Sequence, residues 1–138
     1  MDGQAITVAT LVRVPLERAW QVFTQPDHIT QWYFAANDWE CPTARNDLRV
    51  GGEFAFRMQA KDGSVGFDFA GTYQYVKPLR YLGFTIGDRK VNVSFDEVSD
   101  VQTRVTEVFE PEDQNSADMQ RAGWLAILEN FKRHAESL

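Results

Sequence analysis

The chain has 138 residues, 43% of them hydrophobic and 25% charged, which is enough for one domain with a substantial core and far from the composition of a disordered chain. Its formal net charge of -6 at pH 7 repels phosphate backbones and anionic membrane faces, so nucleic acid is not an expected partner. No stretch approaches the ~20 apolar residues that cross a bilayer. Met1-Asp2-Gly3-Gln4 has no basic residue ahead of an apolar run, and Cys41 is the only cysteine, so membrane insertion, export and an intrachain disulfide are not expected and a cytoplasmic location fits.

Residues 5–13 set Ile6, Val8 and Thr10 against Thr7, Ala9 and Leu11, which predicts a strand apolar on both faces. Pro15 closes it and suits the first position of a helix. Leu16, Ala19, Trp20 and Phe23 then recur at helical spacing through residue 24, and Pro26-Asp27 starts a second short helix carrying Ile29 and Trp32. Residues 37–47 include Pro42 and several turn formers, which predicts a surface loop.

After Gly51-Gly52 the period changes to two. Phe54, Phe56, Met58 and Ala60 share one strand face, Lys61-Asp62-Gly63 marks a hairpin turn, and Phe67, Phe69, Gly71, Tyr73 and Tyr75 share a face of the next run. Further strands are predicted at about residues 80–86, 90–98 and 103–110, joined by turns at Gly87-Asp88 and Ser99-Asp100. From a cap at Asn115 or Ser116, the stripe Met119, Gly123, Trp124, Ile127, Leu128, Phe131 and Ala135 predicts a final helix of about 20 residues. No linker or repeat divides the chain, so residues 1–138 read as a single domain. The element order is that of an α+β protein, with one antiparallel sheet whose apolar face is covered by the last helix. Gly71 and Gly83 are positions where strands of that sheet could bend or bulge.

Several segments together resemble the START-like, SRPBCC superfamily, and in particular its bacterial branch of homologues of the activator of the heat-shock-protein-90 ATPase. They are Val14-Pro15, Ala19-Trp20, Phe23-Thr24, Pro26, Trp32-Tyr33, Asp47 through Gly52, Phe54, Phe56, Gly71, Tyr73 and Gly123-Trp124. The resemblance spans nearly the whole chain. It implies a helix-grip fold, with a curved antiparallel sheet of about six to seven strands wrapped around the long C-terminal helix and two short helices after the first strand. It also implies a hydrophobic cavity between sheet and helix. Members of the superfamily bind lipids, sterols, flavonoids or polyketides, and some are cyclases or hydrolases; the family brings no universal catalytic motif and no cofactor.

On that frame the cavity-lining candidates are Phe54, Phe56, Phe67, Phe69, Tyr73, Phe84, Val93, Phe95, Glu107, Trp124, Leu128 and Phe131, each of which could instead belong to a filled core. Glu107 is in register with Val105 and Phe109, so a regular strand turns its carboxylate inward, where the family tends to carry an apolar residue, whereas a bulge would turn it out. An inward carboxylate needs a partner such as Arg57, a water or a polar group of a ligand. Tyr73 and Tyr75 are further candidates for inward polar groups.

Trp32, Tyr33, Phe34 and Trp39 read either as a lid over the mouth or as packing for the loop. Asp47 and Arg49 read as setters of the turn before Gly51-Gly52. His28 and His134 read as separate surface residues without a ligand set for metal, and Cys41 lacks an activating base.

The leading expectation is therefore a binder of a small, largely hydrophobic molecule, with no metal and no cofactor. The alternatives are a cyclase- or hydrolase-type enzyme using Glu107 and a chaperone- or protein-interaction module, and the reading leans away from an enzyme. Exposed aromatics near the mouth leave a homodimer open.

Overall fold

A computed structural model describes residues 4–138; Met1, Asp2 and Gly3, the start of the stretch on which the expectation about export rests, lie outside the described residues. Six long strands carry the sheet: β1 (Ile6–Val12), β4 (Glu53–Ala60), β5 (Gly66–Lys77), β6 (Tyr81–Ile86), β7 (Arg89–Ser99) and β8 (Gln102–Phe109). Two short ones, β2 (Trp39–Glu40) and β3 (Ala44–Asn46), both pair with β4. The order across the sheet is β1-β8-β7-β6-β5-β4-β2, with every pairing antiparallel. It curls into a half-barrel around one long helix, the helix-grip architecture.

The short strands correct the expectation of an irregular loop over 37–47. Turn formers dominate that sequence, but the free edge of β4 offers unpaired backbone groups, and two short stretches satisfy them. Helices α1 (Leu16–Thr24) and α2 (Pro26–Trp32) follow β1. Pro15 stands just outside α1 as its cap residue and not as its first turn, with an extended ψ of 156°. Pro26 opens α2, where its missing N–H costs nothing.

Helix α3 (Ala117–Glu136) begins at Ser116, whose Oγ accepts a hydrogen bond from the Met119 N–H at 3.1 Å. Its C-terminal half is the buried half: Leu128, Phe131 and Ala135 are inaccessible to solvent. This half packs on β1, α1 and α2. Phe131 meets Phe23 and Trp32 edge-on at 5.3 and 5.2 Å between ring centroids, and the Trp32 indole N–H donates to the Val22 carbonyl at 2.9 Å.

Two local features shape the sheet. The turn before β4 depends on Gly51 at φ +81° and on Gly52, where an added Cβ would sit 2.0 Å from the Asp47 carbonyl oxygen; Asp47 and Arg49 also pair across this turn at 2.9 Å. In β5 the register slips between Tyr73 and Tyr75, so Gln74 is an extra residue and the strand changes face. Tyr73 points inward and is buried, whereas Tyr75 lies on the outer face over Gly83, where a Cβ would come within 2.2 Å of its ring. Tyr75 therefore contributes nothing to the interior, which corrects its assignment as an inward polar group.

Candidate functional site

The half-barrel is not filled evenly. Toward the N-terminal half of α3 the helix stands off the β4–β5 hairpin, and an open space of about 200 Å3 remains, lined by Tyr33, Ala35, Met58, Phe67, Phe69, Glu107, Gly123, Trp124 and Ile127. Behind it, among Phe23, Thr24, Tyr33, Phe54, Phe56, Phe69, Tyr73, Leu82, Phe84 and Glu107, about 20 Å3 is free, room for a single water. Tyr33, Phe69 and Glu107 line both spaces and so form the neck between them.

The rings around the mouth hold one another in place. Phe69 lies 5.5 Å from Tyr33 and 6.1 Å from Trp124, and Trp124 stacks face to face on buried Phe109 at 3.9 Å. Phe67 leans on Trp39 at 6.2 Å and is 49% exposed, although it belongs to the inner face of β5. The segment after α2 is tied to α3 by the Asn130 Nδ2–H, which donates to the Phe34 carbonyl at 2.6 Å. Gly123 faces this space from mid-helix, and a Cβ there would meet nothing within 4 Å. An interior glycine costs a helix about 1 kcal/mol relative to alanine, so its presence keeps room beside Trp124 at some expense.

Glu107 is the polar group of the neck. It pairs in regular register with Val8 of β1 and Val93 of β7, so no bulge turns it outward, and the residue is only 7% exposed. Its carboxyl has no hydrogen-bond or ion-pair partner among the described residues. Arg57, the partner anticipated from sequence, is on the outer face beside Asp68 at 3.6 Å. Burial pushes the Glu107 acid up to about 8, so it is largely protonated at neutral pH. Tyr33 is raised well above its ordinary value, first by burial and then by the charges of Glu107, Tyr73 and Cys41.

Burial also raises Tyr73, whose hydroxyl donates to Asn46 Oδ1, while Asn46 Nδ2–H in turn donates to the Thr24 carbonyl at 2.7 Å. That chain of bonds ties β3 to α1, so the Tyr73 hydroxyl is already engaged. The site's chemistry is thus one neutral buried acid at the constriction of an aromatic-walled hollow.

The twelve residues nominated from sequence fall into three places. Phe67, Phe69, Glu107 and Trp124 line the open space, while Phe54, Phe56, Tyr73 and Phe84 line the small inner one. Val93, Phe95, Leu128 and Phe131 are packed in the core and line neither. Of the four aromatics read as lid or packing, Trp32 is core, Tyr33 is part of the neck, Phe34 packs half-buried against the core, and Trp39 props Phe67. Tyr33 had a clue in its place after the second helix, whereas the roles of Met58, Gly123 and Ile127 had none beyond their apolar faces.

Three larger hollows, about 490, 460 and 410 Å3, touch the outward-facing residues Thr85, Lys90 and Asn92 in the first, Lys77, Arg80 and Asp96 in the second, and Tyr75, Tyr81, Asn92 and Ser94 in the third. None contains a buried polar group without a partner; in the first, the Tyr75 hydroxyl donates to Asn92 Oδ1 and the Lys90 backbone N–H to Glu110 Oε1. They are surface relief, and the smaller space beside Glu107 is the candidate site.

Residues 13–136 match the family model described as Activator of Hsp90 ATPase homolog 1-like protein. The chain belongs to this family. The AHSA1-like fold is one that binds ligands in a cavity.

The AHSA1-like chain is similar to the solution structure of an AHSA1-like protein from Aeromonas hydrophila, at 38% identity and a TM-score of 0.91 over 97% of this chain and 93% of that one. A solution structure from Cytophaga hutchinsonii is 43% identical, with a TM-score of 0.81 over 96% and 92% of the two chains. A crystal structure from Chromobacterium violaceum, 21% identical with a TM-score of 0.85 over 96% and 98%, shows the same fold. No curated protein gives a significant match.

One further reading is corrected by this AHSA1-like structure. His28 and His134 are not separate: Nδ1 of the first is 3.1 Å from Nε2 of the second, joining α2 to α3 across 106 residues of chain. No third side chain completes a metal-binding group among the described residues. Cys41 is buried and its thiol is raised to about 11 by burial, the opposite of an activated thiolate. Among the described residues no helix is long and apolar enough to cross a membrane.

Proposed function

We propose that the protein binds a small, largely hydrophobic molecule in the space between α3 and the β4–β5 hairpin. The observation that carries this reading is the unfilled volume of about 200 Å3 lined by Glu107, an acid only 7% exposed whose carboxyl has no protein partner among the described residues and is left open to that space. Protein interiors rarely keep voids much larger than a water, and an unpaired buried carboxyl costs stability, so their coincidence is best explained by a ligand that supplies both apolar contact and a polar group. The size is informative too. A dry cavity of about 150 Å3 accepts benzene, and drug-sized ligands need ~300 Å3 or more, so the ligand is a one-ring molecule or a short chain, and not a sterol.

Phe67, 49% exposed, gives the opening an apolar rim suited to its access. The same rim is where a second copy would dock if the chain dimerises, which sedimentation at rising concentration would reveal. A reducing cytoplasm suits the buried, unpaired Cys41.

Gly123→Leu gives the test, because the new Cβ meets nothing within 4 Å and the rest of the side chain takes up space beside Trp124 that the ligand would need. Binding of one-ring apolar molecules, followed by Trp fluorescence or thermal shift, should saturate in the wild type and vanish in a folded Gly123→Leu variant. Undiminished binding in the filled variant would put the ligand elsewhere and refute the site.

A further inference from the structure

We propose that the cavity takes a compact organic cation, an aralkylammonium whose nitrogen sits on the Glu107 carboxylate and whose ring lies among Tyr33, Phe69 and Trp124. This rests on the ligand-binding reading above and adds the chemical class.

Three observations converge on it. First, the neck offers a carboxyl with no counter-charge. Its strand neighbours are Val8 and Val93, and the α3 residues facing the cavity are Gly123, Trp124 and Ile127. The titratable side chains around it are Tyr33, Tyr73 and, behind Tyr33, Cys41, all neutral at pH 7 with their pKa values raised. Arg57 is spent on Asp68 outside. A ligand ammonium is therefore the positive group that would complete the pair, in surroundings where opposite charges attract strongly.

Second, the remaining wall is aromatic, with the Phe69 ring centroid 5.5 Å from that of Tyr33 and 6.1 Å from that of Trp124. Ring faces attract cations, and a cluster of rings with one acid is a chemistry suited to alkylammonium groups. Third, the net charge of -6 draws cations toward the protein and repels anions. A ligand carboxylate would bring a negative charge into a hollow that holds no cation to offset it, and a bulkier cation would exceed the space.

The chemistry fixes a proton balance. Glu107 titrates at about 8 in the free protein, so at pH 7 about nine-tenths of molecules carry its proton. An ammonium binds the ionised form, so the carboxyl proton leaves to solvent as the ion pair forms. Between pH 7 and pH 9 the ionised fraction rises about tenfold while an alkylammonium stays charged, and affinity rises by about the same factor. A neutral hydroxyl ligand needs no proton release, and its affinity does not rise over this range.

Isothermal titration calorimetry with phenethylamine, phenethyl alcohol and hydrocinnamate tests this, run at pH 7 in two buffers of different ionisation enthalpy and again at pH 9. The expected result is amine binding with release of about 0.9 proton at pH 7, an affinity about tenfold higher at pH 9, weaker binding of the alcohol, and none of the carboxylate. Glu107→Gln should lose at least tenfold in amine affinity and keep the alcohol. If the alcohol binds as tightly as the amine, without proton release, or the carboxylate binds best, the cation assignment is overturned while the cavity remains a ligand site. If none of the three binds, the ligand-binding reading itself falls.

Discussion

The two halves of α3 meet the same sheet in different ways. At the C-terminal half, Leu128, Phe131 and Ala135 are sealed against β1, α1 and α2, with rings crossed edge to face and the Trp32 indole bonded to Val22. At the N-terminal half, Met119 is exposed, Gly123 faces empty space, and Phe67 and Phe69 on the opposite hairpin are left partly uncovered. One apolar stripe thus does two jobs: one half closes the core and supplies stability, and the other keeps a space open beside a buried acid at a cost in stability.

Substitutions sharpen that contrast, and the largest effect belongs to the closed half. Phe131→Ala should destabilise by about 3–5 kcal/mol, because it leaves a cavity among rigid aromatic neighbours. Phe67→Ala, at the open half, should cost under about 1 kcal/mol while still altering ligand affinity. Urea unfolding of the two variants checks this, and similar losses in both would erase the distinction.

Glu107 comes next. Unfolded, its carboxyl ionises near 4.5; folded, it holds its proton up to about 8. Below pH 4.5 both states are protonated and the burial exacts no ionisation penalty. As pH rises from 4.5 to 8 the unfolded state ionises first and stability falls; above 8 the loss levels off. At pH 7 the penalty is about 3 kcal/mol, so Glu107→Gln should raise stability by about that amount at pH 7 and by little at pH 4. Denaturant midpoints at the two pH values decide it; a variant less stable than wild type at pH 7 would show that the carboxylate has a partner.

Gly123→Ala should stabilise by up to about 1 kcal/mol, since the helix gains a better former and the methyl meets no obstacle. The smallest effect belongs to the histidine pair. The His134 pKa is lowered, by burial first and the charge of His28 second. A base with a depressed folded pKa loses stability as pH falls through its unfolded value near 6.5. Acidification from pH 7 to 5 should therefore weaken the fold by under about 1 kcal/mol through this pair, given its solvent screening. His28→Gln should reduce that loss, read from urea midpoints at both pH values.

The six long strands and the last helix were legible because their apolar periods are long and local. Glu107 was only half legible: an acid between Val105 and Phe109 faces the core if the strand is regular, but the alternation left a bulge open until the pairing with Val8 and Val93 decided it. The bulge at Gln74 was not, because it arises from pairing with β6 and the fit of Tyr75 onto Gly83, neither of which shows in the alternation of β5. The short strands β2 and β3 come from the vacant edge of β4, and the His28–His134 contact from the docking of α2 on α3, both tertiary effects. Nor could periodicity separate Phe131 from Trp124. Both lie on one stripe, and only the position of the helix over the curled sheet decides which is core and which is cavity wall.

The account stands or falls on whether the space at the open half admits a molecule. Isotope-filtered NMR of the labelled protein with phenethyl alcohol, a neutral probe indifferent to the charge of Glu107, reads this directly. Intermolecular NOEs to Phe69, Trp124 and Ile127 are the predicted result. Contacts confined to Tyr75 and Asn92 on the outer face, or none at all, would contradict it.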